Sequence, residues 1–135
     1  MDFPEDDILD NPNVIAIPHL GASTPESEEN CAVMAAKELK DFLEKGSFIN
    51  SVNMPKCELS YTELHRITLI HKNLPNMVGQ MSAILASEHI NIAEMVNKSR
   101  GSVAYTVFDL DSVPSENAVA QLKAIDGIYR LREIK

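Results

Sequence analysis

The chain has 135 residues, enough for one domain with a real core or a small domain with an appendage, and too few for two full-sized enzymatic domains. Hydrophobic residues make up 44% of it and charged residues 24%, a globular balance that excludes a disordered chain. Twenty acidic against twelve basic residues give a net charge of -8, a field that repels nucleic-acid phosphates and anionic membranes, so neither is an expected partner.

The first apolar run, residues 14 to 17 (Val-Ile-Ala-Ile), stops at Pro18 as a buried strand would before a loop. Ser23, Thr24, Pro25 and Glu26 then supply a capping hydroxyl, a first-turn proline and an acid, a conventional helix start. Cys31, Met34, Ala35, Leu39, Phe42 and Leu43 recur at helical spacing, and Gly46 ends the run as a left-handed cap. That apolar stripe needs a cover, and a helix with no visible covering domain suggests a piece of a longer protein. Residues 47 to 65 lose the period, carry Pro55 among scattered polar residues, and read as a connector.

A second unit begins near Arg66. RITLIH reads as a strand, and MVGQMSAILASEH as an amphipathic helix with Val78, Met81, Ile84 and Leu85 on one stripe. INIAEMVNKS and SVAYTVFDL read as strands joined at Arg100-Gly101, where glycine supplies the positive φ of a tight hairpin turn. Pro114 and Ser115 open a helix carrying Val119, Leu122 and Ile125. Asp126-Gly127 closes it, and IYRLREI ends the chain as a strand in which Tyr129 and Leu131 alternate with Arg130 and Arg132. The order β, α, β, β, α, β predicts an α+β, ferredoxin-like fold, two helices on one face of a four-stranded antiparallel sheet. The other face would stand open, which predicts a second copy against the sheet and at least a dimer.

Several chemistries are missing. The five glycines stand apart, so neither a dinucleotide fingerprint nor a phosphate loop can be written, and the chain holds no cofactor of its own. His19, His65, His71 and His89 pair neither with one another nor with cysteine, which argues against a metal site. Cys31 and Cys57 match no disulfide framework and read as free thiols in a reducing compartment. The acidic start MDFPEDDIL lacks the features of a secretion signal, and no run is long enough to span a bilayer; the expected location is the cytoplasm.

Two stretches together resemble a known family. NVIAIPHLGASTPESEENCAVMAAKELKDFLEKG, followed by INSVNMP, is similar to the last strand, catalytic-histidine loop and closing helix of the NAD-dependent 2-hydroxyacid dehydrogenases, in the form found in D-3-phosphoglycerate dehydrogenases. The segment from His65 to Lys135, through His71 to Gly79 and Asn91-Ile92-Ala93, resembles the ACT domain that ends many of those enzymes. The resemblance implies residues 1–54 as a strand-loop-helix remnant of an α/β dehydrogenase region, 55–64 as a linker and 65–135 as an ACT regulatory domain. It implies that His19 is the general acid/base only in a full-length enzyme, with NAD as that enzyme's cofactor and 3-phosphoglycerate as its substrate. The upstream carboxylate and arginine that the family uses are absent from this sequence, so the chain alone is expected to be inactive.

The polar loop at residues 71 to 76 has the properties of a receptor for a small zwitterion. N–H groups in the first turn of the helix from about Met77 favour a carboxylate, Asn73 both donates and accepts, and His71 can bond a hydroxyl. The resemblance implies that His71 and Asn73 of one chain, with Asn91 of a neighbour, bind L-serine across a dimer interface as feedback inhibitor. Taken singly, His71 also fits a bond to a strand-end carbonyl, Asn73 an ordinary turn and Asn91 a strand-start cap, in which case the unit is a structural dimerisation domain without ligand. The family usually has glycine after the loop proline; here the residue is Asn76, which tolerates a left-handed backbone better than other side chains.

Overall fold

The computed structural model describes residues 4–60 and 62–135. It contains two compact units, Met1–Lys37 and Glu38–Lys135. The elements are α1 (Pro25–Lys45), β1 (His65–Lys72), α2 (Met77–Ser87), β2 (Ile92–Arg100), β3 (Val103–Leu110), α3 (Glu116–Ala124) and β4 (Ile128–Ile134), after a short 3-10 turn at Asp6–Ile8. The four strands form one antiparallel sheet in the order β2-β3-β1-β4. Each crossover, through α2 and through α3, skips one strand, which is the ferredoxin-like topology.

Local chemistry accounts for these boundaries. Thr24 Oγ1 accepts from the Ser27 N–H at the start of α1, and Gly46, at φ 77°, ends it with its N–H on the Phe42 carbonyl. Gly101, at φ 60°, turns the β2–β3 hairpin. Ser115 caps α3 by accepting from the Ala118 N–H at 3.0 Å. The apolar stripes of the two helices meet the sheet in one core of Ile67, Leu69, Met77, Met81, Leu85, Phe108, Leu110 and Leu122. Burying such side chains contributes about 1.5–3 kcal/mol each and is the main force holding the helices to the sheet.

Three expectations fail. Residues 14–17 form no strand, and Ile15 is 79% exposed. A strand needs a neighbour to take its backbone groups, and no strand occurs among the described residues before His65. The sheet face expected to stand open is covered from within the second unit: Phe48, Met54, Cys57 and Leu59 pack against Tyr105 and Val107. The connector holds that position through paired backbone bonds between Phe48 and Cys57, at 2.8 and 2.7 Å, and through Ser47 Oγ, which donates to the Leu59 carbonyl and accepts its N–H. Finally, Tyr129 does not alternate inward with Leu131. Ile70 faces Arg130 while His71 faces Ile128, so Tyr129 is the extra residue of a bulge and is exposed.

The covered face also grips the end of α1. Arg66 donates to both carboxylate oxygens of Asp109, at 2.5 and 2.7 Å, and to the Lys45 carbonyl at 2.8 Å. Arg132 donates to the Phe42 carbonyl at 2.9 Å and to the Leu43 carbonyl, and lies over the Phe42 ring. The Tyr105 hydroxyl donates to the Gly46 carbonyl at 2.7 Å. Two guanidinium groups and a phenol therefore satisfy the carbonyls that a helix C-terminus leaves without partners, where the helix dipole is negative.

Arg66 and Asp109 are 4% and 2% exposed, so removing one partner strands a buried charge. Asp109→Asn is expected to lower unfolding free energy in urea by about 3–5 kcal/mol, with much of the loss recovered when Arg66 is also made apolar. Burial pushes the Tyr105 phenol up to about 12. An unfolded tyrosine ionises near 10, so stability is full below that pH and is lost as pH climbs towards 12. Denaturation midpoints of Tyr105→Phe measured over this range should fall less steeply with pH than those of the parent chain.

Candidate functional site

The loop that links β1 to α2 is held at both sides by backbone bonds. The Lys72 N–H donates to the Gly127 carbonyl and the Asn73 N–H to the Ser102 carbonyl, each at 2.8 Å, and Asn73 Nδ2 donates to the Gly101 carbonyl at 3.1 Å. Asn73 is thus exposed but anchored on the hairpin turn, with its side-chain oxygen remaining as an acceptor. Asn76 adopts φ 65° and ψ 7°, the left-handed conformation that the loop demands, and its side chain makes no capping bond to α2. The α2 N-terminus therefore keeps first-turn N–H groups uncapped by that side chain, beside the loop.

His71 lies deeper than its sequence position suggested. It is 2% exposed, with Nδ1 donating to the Lys72 carbonyl at 2.7 Å and Nε2 at 2.8 Å from Thr106 Oγ1. Sequence reasoning missed Thr106 and Asn97, which continue this contact to β2; cross-strand pairing decides that neighbourhood and leaves no local signal.

Asn91 is exposed at the other end of the sheet. Its N–H donates to Asp111 Oδ1 at 3.1 Å, and its carbonyl accepts from the Asp111 N–H at 3.2 Å. The nine residues of β2, at about 3.3 Å each, put Asn91 roughly 25–30 Å from Asn73 within one chain. One protomer cannot bring the two onto a single small molecule. Among the described residues β2 is an edge strand paired only to β3, and an antiparallel pairing of β2 with a second copy would place the partner's start of β2 beside the hairpin turn that anchors Asn73. A hollow of about 460 Å³ at the Asn91 end, lined by Leu64, His65, Leu110, Asp111, Val113 and Lys135, includes neither His71 nor Asn73. His19 lies exposed in the first unit, its N–H on the Ile17 carbonyl. Among the described residues, no group of three or more metal-ligating side chains occurs and no helix is long and apolar enough to cross a membrane.

No family model matches the chain. It is 33% identical over 122 residues to a D-3-phosphoglycerate dehydrogenase of Escherichia coli (strain K12), covering 89% of this chain and 30% of that protein. The Haemophilus influenzae D-3-phosphoglycerate dehydrogenase is 32% identical over 121 residues, with the same coverages, and D-3-phosphoglycerate dehydrogenase 1 of Saccharomyces cerevisiae is 31% identical over 112 residues, covering 79% of this chain and 24% of that one. The chain is therefore similar to a C-terminal part of these enzymes and spans less than a third of their length. Among solved structures, the ACT domain from the GTP pyrophosphokinase of Chlorobium tepidum overlaps 53% of this chain and 96% of its own at a TM-score of 0.44 and 13% identity. The regulatory subunit of aspartate kinase from Thermus thermophilus overlaps 53% and 52% at 0.42 and 20% identity. The ferredoxin-like assignment stands on the strand order itself.

The left-handed loop residue is open to test. Asn76→Gly should leave stability unchanged or raise it by up to about 1 kcal/mol, whereas Asn76→Ala should lower it by about 1 kcal/mol, as read by urea unfolding.

Proposed function

We propose that this chain is the regulatory C-terminal part of a D-3-phosphoglycerate dehydrogenase, acting in the cytoplasm, and that residues 65–135 are an ACT domain that binds L-serine where two copies meet. The site residues we assign are His71 and Asn73 of one protomer and Asn91 of the other. The observation that carries this reading is the placement of Asn73 and Asn91 at opposite ends of one sheet, near the two ends of the unshared edge strand β2, an arrangement that converges only in trans. The ligand's carboxylate would meet the first-turn N–H groups of α2 and the Asn73 amide; its ammonium would meet side-chain oxygens.

Feedback inhibition follows by linkage. A ligand that bridges two protomers binds one arrangement of the pair better than another, and the preference is transmitted to whatever is joined to that pair. The bonds from Arg66, Arg132 and Tyr105 hold the end of α1 to the sheet, at the side from which the chain enters this unit. In the full-length enzyme NAD would be held by upstream residues, and His19 would serve as general acid/base. Neither role operates in this chain alone.

A second reading, a dimerisation domain without ligand, is favoured by one observation: both ring nitrogens of His71 are already bonded within the chain. Titration calorimetry separates the two. L-serine should release heat with the parent chain, while Asn73→Ala and Asn91→Ala should each weaken binding at least about tenfold, the effect of losing one or two bonds to a charged ligand. Mixed dimers of the two variants should regain tight binding at half the stoichiometry, because one of their two sites would contain both asparagines. Silent titrations with L-serine, glycine and L-alanine would overturn amino-acid binding.

A further inference from the structure

Asp111 is tied to Asn91 by the register of β2 and β3. The outermost pair at this end of the two strands is Ile92 with Leu110, so the next residues, Asn91 and Asp111, come opposite each other just beyond the ladder. The Asp111 N–H donates to the Asn91 carbonyl at 3.2 Å, and the Asn91 N–H donates to Asp111 Oδ1 at 3.1 Å. The Ser112 hydroxyl donates to the same oxygen at 2.9 Å. Both donors fall on Oδ1, so the exposed carboxylate is held in place while Oδ2, among the described residues, has neither a hydrogen-bond donor nor a cation beside it.

An N–H and a hydroxyl orient this carboxylate without neutralising it. The loop at residues 71–76 is its electrostatic opposite. There the first-turn N–H groups of α2, uncapped by the Asn76 side chain, form the positive end of a helix dipole. Glu63 and Lys135, which line the hollow beside Asp111, are of opposite sign, which leaves Asp111 as the unbalanced charge next to Asn91. A zwitterion lying between the two half-sites therefore has one favoured orientation, its carboxylate on the loop of one protomer and its ammonium at the Asn91 end of the other.

We propose that Asp111, which enters the site together with Asn91 of the same protomer, is the counter-charge that accepts from the ammonium group of the bound amino acid. The assignment rests on the amino-acid-binding reading above and adds a specificity residue to it. A carboxylic acid of similar size without an amine brings only negative charge to Asp111 and gives Oδ2 no donor, so such a ligand is rejected.

The test uses the intact chain in titration calorimetry, with L-serine and 3-hydroxypropionate, which is serine without its amine, as probes. The parent chain should bind L-serine at least about tenfold more tightly than 3-hydroxypropionate. Asp111→Asn keeps an oxygen for the Asn91 N–H and the Ser112 hydroxyl while removing the charge; it should bind L-serine about tenfold more weakly and lose most of that preference. Mixed dimers report the half-site to which Asp111 belongs. Asp111→Asn mixed with Asn73→Ala should regain one tight site per mixed dimer, whereas Asp111→Asn mixed with Asn91→Ala should regain none. Unchanged L-serine affinity in Asp111→Asn, an equal loss for both probes, or recovery on mixing with Asn91→Ala overturns the assignment and leaves the amino-acid site standing. Should Asp111→Asn fail to fold, a parent chain that binds the two probes equally overturns it all the same. A parent chain that binds no amino acid overturns both readings.

Discussion

The register of β3 between β1 and β2 is the constraint on which the other features depend. Because Leu69 faces Thr106 and Thr106 faces Asn97, a buried imidazole, a hydroxyl and an exposed carboxamide come into line across three strands. The same register sets Asn73 against the hairpin turn and Asn91 against Asp111, at opposite ends of the sheet. A shift of one residue would send His71 to the other face and dismantle both arrangements at once. The register is itself secured by burial, since Ile67, Leu69 and Phe108 must share the face that packs on α2 and α3.

The opposite face does different work. There the sheet meets its own connector through an apolar cluster and the last turn of α1 through polar groups. Arg66 is neutralised by Asp109 and donates through Nη1 to the Lys45 carbonyl; Arg132 takes the Phe42 and Leu43 carbonyls while stacking on the Phe42 ring. A buried guanidinium that satisfies carbonyls in fixed directions specifies one orientation of the helix end, which an apolar contact alone would not.

Much of the second unit was legible because its periods are clean. Strand-like runs in RITLIH and SVAYTVFDL, alternation in IYRLREI, a helical stripe in MVGQMSAILASEH, and glycines at 46, 101 and 127 where the backbone turns left-handed are local signals, and they yielded the element order and the ferredoxin-like class. The left-handed backbone at Asn76 was readable from the resemblance instead, since glycine usually stands at that position of the family's loop and asparagine tolerates the same conformation. The candidate loop residues could be named, but not their surroundings.

What the sequence determined by itself was therefore everything governed by neighbours along the chain: strands, helices, caps and turns. Tertiary structure alone decided matters that depend on residues far apart. It formed no strand at residues 14–17, folded the aperiodic connector over the sheet, bulged Tyr129 outward and turned Arg132 towards a helix end. It also placed His71 Nε2 on Thr106, 35 residues away, rather than at the surface. Hydrogen bonds and packing between distant segments carry no period, so only the folded register reveals them.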